Sequence, residues 1–174
     1  MDFHYNRRMK KRIVLLCSPL LAALLAFGQS SGILSQAETQ KITPSHYFYA
    51  GQTAPVQMRN AAAFRSPKGK VVIAALVDVS GYSSAVAEKY QGLLITDGGI
   101  NIGGKSLGPG SYGIGATPDS KFVVTDIGAN VIASADFTND PNLKRPVPLK
   151  MAADGQNVRL YLGKRYVAIN PESK

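Results

Sequence analysis

The pentapeptide Val158-Arg159-Leu160-Tyr161-Leu162 alternates strictly, with residues 158, 160 and 162 on one face and Arg159 and Tyr161 on the other. Period-two alternation marks a half-buried β-strand. It recurs in Ile100-Asn101-Ile102 and in Val56–Phe64, where Val56 and Met58 share a face. The segment Lys70–Val79, KVVIAALVDV, is apolar on both faces, which predicts a strand covered on both sides. A buried helix is the competing reading. The turn composition of Ser66-Pro67-Lys68-Gly69 before it and Ser80-Gly81 after it favours a strand.

Gln91–Ile127 is the stretch on which the rest is expected to pack. Strands are predicted at Leu93–Thr96, Ile100–Ile102, Ser111–Ala116 and Phe122–Ile127. Asp97-Gly98-Gly99 reads as a hairpin-type turn, and Gly103-Gly104-Lys105-Ser106 turns again. Leu107-Gly108-Pro109-Gly110 and Pro118-Asp119-Ser120 supply the other connections. So dense a use of glycine implies close backbone approaches and bulges as well as turns. Val131–Phe137 is a weaker strand and Thr138–Pro146 a loop. Val147–Ala152, Asn157–Leu162 and Arg165–Ile169 form a closing meander. One helical turn is expected at Ala85–Lys89, with Ser83 and Ser84 able to cap it. The pattern predicts an all-β fold, an antiparallel sandwich or barrel of about eight to ten short strands. The pattern does not choose between sandwich and barrel.

The N-terminus reads differently. Arg7, Arg8, Lys10, Lys11 and Arg12 face a single acid, Asp2, and Ile13–Phe27 is then almost wholly apolar. Ala26-Phe27-Gly28 offers a small-x-small cleavage site. Together these make a secretory signal helix over residues 1–28 and imply a periplasmic or extracellular destination. Ser35-Gln36-Ala37 is a second acceptable cut. An uncleaved anchor, the chain's one expected route to a membrane, is weakened by Pro19 and by an apolar run shorter than the roughly 20 residues of a spanning helix. Residues 29–45, rich in Ser, Gln and Thr, read as a flexible lead to a single domain over 46–174.

Cys17, the only cysteine, lies in the apolar run with Leu16 rather than a small residue before it, which argues against lipid attachment. The domain is then free of disulfides, thiol nucleophiles and thiolate metal sites. The chain carries a formal charge of +9; the leader's five bases and one acid account for +4, leaving +5. The remaining bases look scattered, Lys144-Arg145 and Lys164-Arg165 being the tightest pairs. That is not the focused basic stripe of a nucleic-acid binder.

Gly99–Ser106 matches the phosphate-loop pattern G-x-x-x-x-G-K-[ST]. A working phosphate loop ends in a helix whose amides hold the phosphates. Here Leu107-Gly108-Pro109-Gly110 follows, and two glycines and a proline would cost that helix several kcal/mol. The match is therefore read as a β-turn, with no nucleotide and no cofactor.

After the leader the only histidine is His46, so sites built from several His or Cys are not expected, and neither are metals. Asp78 and Asp126, at the ends of apolar strands, are the acids expected to be partly buried. With His46 they carry the alternative reading, a hydrolase acting on envelope or extracellular polymers. Tyrosine is the other candidate for recognition. Tyr82, Tyr112 and Tyr161, with Arg145 and Arg159, could line a groove for a peptide or glycan.

Ile102-Gly103-Gly104-Lys105 followed by Leu107-Gly-Pro-Gly110-Ser-Tyr112 resembles a hairpin pattern of conserved secreted bacterial β-domain proteins of unknown function. Val77-Asp78-Val79-Ser80-Gly81-Tyr82 and Lys144-Arg145-Pro146 extend the resemblance over roughly Lys70–Tyr166. It implies turn glycines and core Leu and Tyr, and it offers no catalytic residue. The expected role is a binding or structural module of the cell envelope.

Overall fold

The computed structural model describes residues 31–171. The signal helix, Cys17 and the cut after Gly28 lie outside the described residues. The chain runs through β1 (Gly32–Ile33), α1 (Gln36–Ile42), β2 (His46–Tyr49), β3 (Gln52–Arg65), β4 (Val71–Val77), α2 (Ser84–Ala87) and β5 (Gly92–Thr96). It continues through β6 (Ile100–Ile102), β7 (Lys105–Leu107), β8 (Gly110–Ala116), β9 (Lys121–Thr125), β10 (Val131–Asp136) and β11 (Thr138–Asn139). β12 (Val147–Asp154), β13 (Asn157–Gly163) and β14 (Arg165–Pro171) close it. The strands outnumber the eight to ten expected, because pieces of two or three residues such as β1, β7 and β11 are too short to show a period.

All pairings are antiparallel, and the strands form two sheets, not a closed barrel. The first runs β1-β3-β4-β5-β8-β9-β10, with β2 also on β3. The second runs β12-β13-β14-β6-β7, with β11 on β14. Side chains from the two inner faces meet in one core. Phe64, Val72, Leu94, Ile114, Phe122 and Val124 come from the first sheet; Ile100, Ile102, Met151, Val158, Leu160, Val167 and Ile169 come from the second. Burying each such side chain stabilises the fold by about 1.5–3 kcal/mol.

The first sheet is covered on its other face too. β4 sends Val72 and Ala74 into the sandwich core, and Ile73, Ala75 and Val77 into a second cluster with Tyr47, Tyr49, Tyr90 and Leu93. Its uninterrupted apolar pattern is the consequence. The cover includes the β2–β3 hairpin, folded over the sheet so that Tyr47 and Tyr49 point in while His46 and Phe48 point out.

The lead is not featureless from Ser31 onward: it adds β1 to the edge at β3 and then forms α1. A reciprocal capping box starts that helix, with Ser35 Oγ accepting from Glu38 N and Glu38 accepting from Ser35 N at 2.9 Å. Asp97-Gly98-Gly99 is not a hairpin turn. β5 pairs with β4 and β8, whereas β6 pairs with β14 and β7, so this corner carries the chain from one sheet to the other. Asp97 Oδ1 holds it by accepting Val71 N at 2.6 Å.

Gly99–Ser106 is a β-hairpin. Ile100 faces Leu107, Asn101 faces Ser106 and Ile102 faces Lys105. The two-residue loop is Gly103-Gly104, with φ of +59° and +82°. Positive φ at both central residues is the mirror-image turn that suits strand twist. β7, not a helix, begins at the lysine.

Candidate functional site

The five binding candidates do not form one groove. Tyr82 lies on the outer face of the first sheet; its ring meets Tyr90 edge-on at 5.4 Å and its hydroxyl donates to Tyr49 O at 3.3 Å. Tyr112 donates to Gly108 O at 2.8 Å and so braces the crossing from β7 to β8. Arg159 and Tyr161 do share the outer face of the second sheet, as their alternation predicts. Arg159 pairs with Asp154 at 3.0 Å and lies over the Tyr166 ring at 4.8 Å. Tyr161 is buried, and its hydroxyl donates to Asp140 Oδ2 at 2.8 Å. That bond fastens the 138–146 loop to the sheet. It holds the Asp140 carboxyl below the usual aspartate range, while burial and then Asp140 raise the Tyr161 phenol. Arg145 is exposed in the same loop.

The hydrolase candidates are not hydrogen-bonded to one another among the described residues. Asp78 is exposed, not partly buried, and accepts Ser80 N at 3.0 Å. Asp126 is half-buried and accepts from Gly128 N and Asn130 N, both at 2.9 Å. Each carboxyl is lowered by those bonds, first by the Ser80 backbone for Asp78 and first by the Asn130 side chain for Asp126. A general acid needs the opposite shift. His46 is exposed, with Ser45 Oγ 3.2 Å from its Nδ1.

What the fold does build is a cleft at one end of the sandwich. β3 leaves the ladder with β4 between Val56 and Ala61, and β12 shifts register against β13 between Val147 and Lys150. Both bulges contribute to a cleft of about 520 Å³, through Gln57 and Pro148. Its apolar walls include Leu76 and Val79 from the first sheet side and Leu162 from the second. The volume is within the roughly 300–1,000 Å³ of small-ligand sites.

Two glutamines cap strand ends beside the cleft, Gln57 at the β3–β4 break and Gln91 at the end of the β5–β8 ladder. Gln57 Nε2 donates to Val77 O at 3.1 Å, and Asn60 Nδ2 donates to Gln57 Oε1 at 2.7 Å. Gln91 Nε2 donates to Ala116 O at 3.2 Å, while Gln91 Oε1 accepts Ala116 N at 3.3 Å. A backbone group left bare at a sheet end costs about 1–3 kcal/mol if buried, and these amides remove that cost. Arg165 stands at the cleft with its guanidinium 4.5 Å from the Phe137 ring centre. Among the described residues the ion pairs are Lys121–Asp136 and Arg159–Asp154, so the Arg165 charge has no carboxylate there.

Sequence reasoning did not single out Gln57 or Gln91, and met Arg165 only as half of a basic pair. No local pattern marks them, because their roles come from breaks in the β3–β4 and β12–β13 registers and from the β5–β8 pairing, none of which alternation within one strand reports. No protein-family model, curated protein or solved structure matches the chain.

Proposed function

We propose that the protein is an exported binding or structural module of the cell envelope, and that it binds through the cleft between the two sheets. Support for export comes from the basic, apolar, small-x-small leader at residues 1–28 and from a domain sequence without cysteine. The observation that carries the binding reading is the coincidence of the two bulges. Sheets ordinarily close their ends with matched ladders, and β-bulges concentrate beside sites that need an opened edge. Here one bulge in each sheet lies at the same end; Gln57 satisfies Val77 O beside the β3–β4 bulge, and Gln91 caps the neighbouring β5–β8 ladder at Ala116.

Intact-mass analysis of protein recovered from the culture fluid and the envelope tests the first half. The expected mass begins at Gln29 or Glu38, and a retained leader in every fraction overturns free export. Methyl resonances of Leu76, Val79 and Leu162 test the second half during titration with an extract of the envelope. Shifts confined to these residues are expected. Shifts elsewhere with these unmoved overturn the cleft as the site.

A further inference from the structure

The two tightest basic pairs of the domain, Lys144-Arg145 and Lys164-Arg165, meet at one corner of the fold. Val147 pairs with Gly163 across β12 and β13, which sets Arg145 and Pro146 beside the β13–β14 turn at Lys164. Asp140 N donates to Lys164 O at 3.0 Å, tying the loop that holds Lys144 and Arg145 to that turn. β11 adds a third tie by pairing Asn139 with Arg165. Lys144, Arg145 and Lys164 are exposed, and Arg165 is half-buried. Pro148, Gly163 and Arg165 belong to the cleft lining, so the cationic corner and the apolar cleft share a rim.

The nearby acids are occupied locally. Asp140 accepts the Tyr161 hydroxyl and Asn142 N, and Asp78, between the lining residues Val77 and Val79, accepts Ser80 N. The cleft's two glutamine amides are already engaged with backbone and Asn60. The glutamine amides are thus engaged, whereas apolar walls remain and, among the described residues, Lys164 and Arg165 have no carboxylate partner.

Resting on the cleft as the binding site, we propose that its ligand is a single-chain amphiphile with an anionic headgroup. The alkyl chain lies between the sheets against Leu76, Val79 and Leu162. The headgroup meets Arg165 and Lys164 at the rim, where the excess of positive charge also draws it in. Each methylene buried raises affinity about fourfold until the cleft is filled.

The test titrates the exported protein with decanoate, decanol and decylammonium below their micelle concentrations. It reads heat and the methyl resonances of Leu76, Val79 and Leu162. Decanoate is expected to bind at least about tenfold more tightly than decylammonium and to move these methyls. Arg165→Gln should weaken decanoate about tenfold and leave decanol unchanged. Lys164→Gln, at an exposed turn, gives a smaller loss in the same direction and serves if Arg165→Gln fails to fold. If the three probes bind alike at these methyls, the headgroup assignment falls and the cleft reading stands. If no probe moves them, the cleft reading falls as well. Binding to phosphatidylglycerol vesicles without methyl shifts overturns the proposal in favour of surface adsorption.

Discussion

The ring of Tyr49 lies across Gly113 in the central strand β8, in the space a side chain would need. A Cβ at Gly113 would stand 2.5 Å from the ring and 2.5 Å from Thr125 Oγ1. Those two neighbours are themselves bonded, Tyr49 Oη to Thr125 Oγ1 at 2.7 Å. Gly113→Ala must therefore break that bond or displace the β2–β3 hairpin. The expected loss is about 1–3 kcal/mol in chemical denaturation. Placing the same change in a Tyr49→Ala background should recover most of it, as coupled neighbours do. Equal losses in both backgrounds would show that the ring is not what the glycine accommodates.

Gly103 and Gly104 look equivalent in sequence and differ in the fold. Both have positive φ, but a Cβ at Gly103 would lie 2.6 Å from Ser134 O and 2.8 Å from Ala135 Cβ, whereas nothing lies within 4 Å at Gly104. Of the two loop glycines, only the first is pressed against β10. Gly103→Ala should cost about 2 kcal/mol or more, adding left-handed strain to the clash. Gly104→Asn, which tolerates that φ, should cost under about 1 kcal/mol. Thermal unfolding of the two variants side by side checks the ordering.

The bond from Tyr161 to Asp140 should make the loop's anchorage acid-sensitive. The folded-state Asp140 carboxyl titrates below the usual 3.8, chiefly because the Tyr161 hydroxyl donates to it. A lowered carboxyl contributes stability above its unfolded value, and that contribution is lost as pH falls through the folded one. Tyr161→Phe should therefore be less stable than the parent at pH 7. The gap should narrow once the pH drops below about 3.8. A gap that is constant from pH 7 to pH 2 would assign the loss to packing instead.

Much of the strand layout was legible because period two is a local property. Ile100 and Ile102, Val158 to Leu162 and the two-sided run at Lys70–Val79 each announce which faces they bury. The partner of each strand was not legible. Asp97-Gly98-Gly99 has hairpin composition, yet it joins strands of different sheets, a choice decided by where Ile100 and Ile102 find their core. The helix α1 was hidden because polar Gln and Glu residues dominate it, and only the Ser35–Glu38 spacing marks its start. The candidate site shows the same limit. Arg159 and Tyr161 were correctly placed on one face by alternation. Tyr82, in a bend, and Tyr112, in β8, carry no such local mark of what they pack against. The cationic corner exists because Val147 is in register with Gly163 and the 138–146 loop folds back on the β13–β14 turn, and neither fact has a signature in the loop's own sequence.

The tyrosine cluster on the first sheet separates a hydroxyl that stabilises from two that do not. Tyr49 stacks on Tyr90 at 3.8 Å, and both rings are fully buried. The Tyr49 hydroxyl meets Thr125, whereas those of Tyr47 and Tyr90 are buried without a hydrogen-bond partner among the described residues. Burial raises both of those phenols above the usual 10.0. Tyr90→Phe and Tyr47→Phe keep the ring contacts and remove an unpaired polar atom, so each should be neutral or stabilising by up to about 1 kcal/mol. Tyr49→Phe leaves Thr125 Oγ1 buried and bare, and should cost about 1–3 kcal/mol. Because a raised phenol favours the folded state only while the unfolded one stays neutral, the parent should lose stability as pH rises above about 10, and Tyr90→Phe should lose less. Urea denaturation at pH 7 and pH 11 checks both orderings, and a Tyr90→Phe variant less stable than Tyr49→Phe would contradict the assignment.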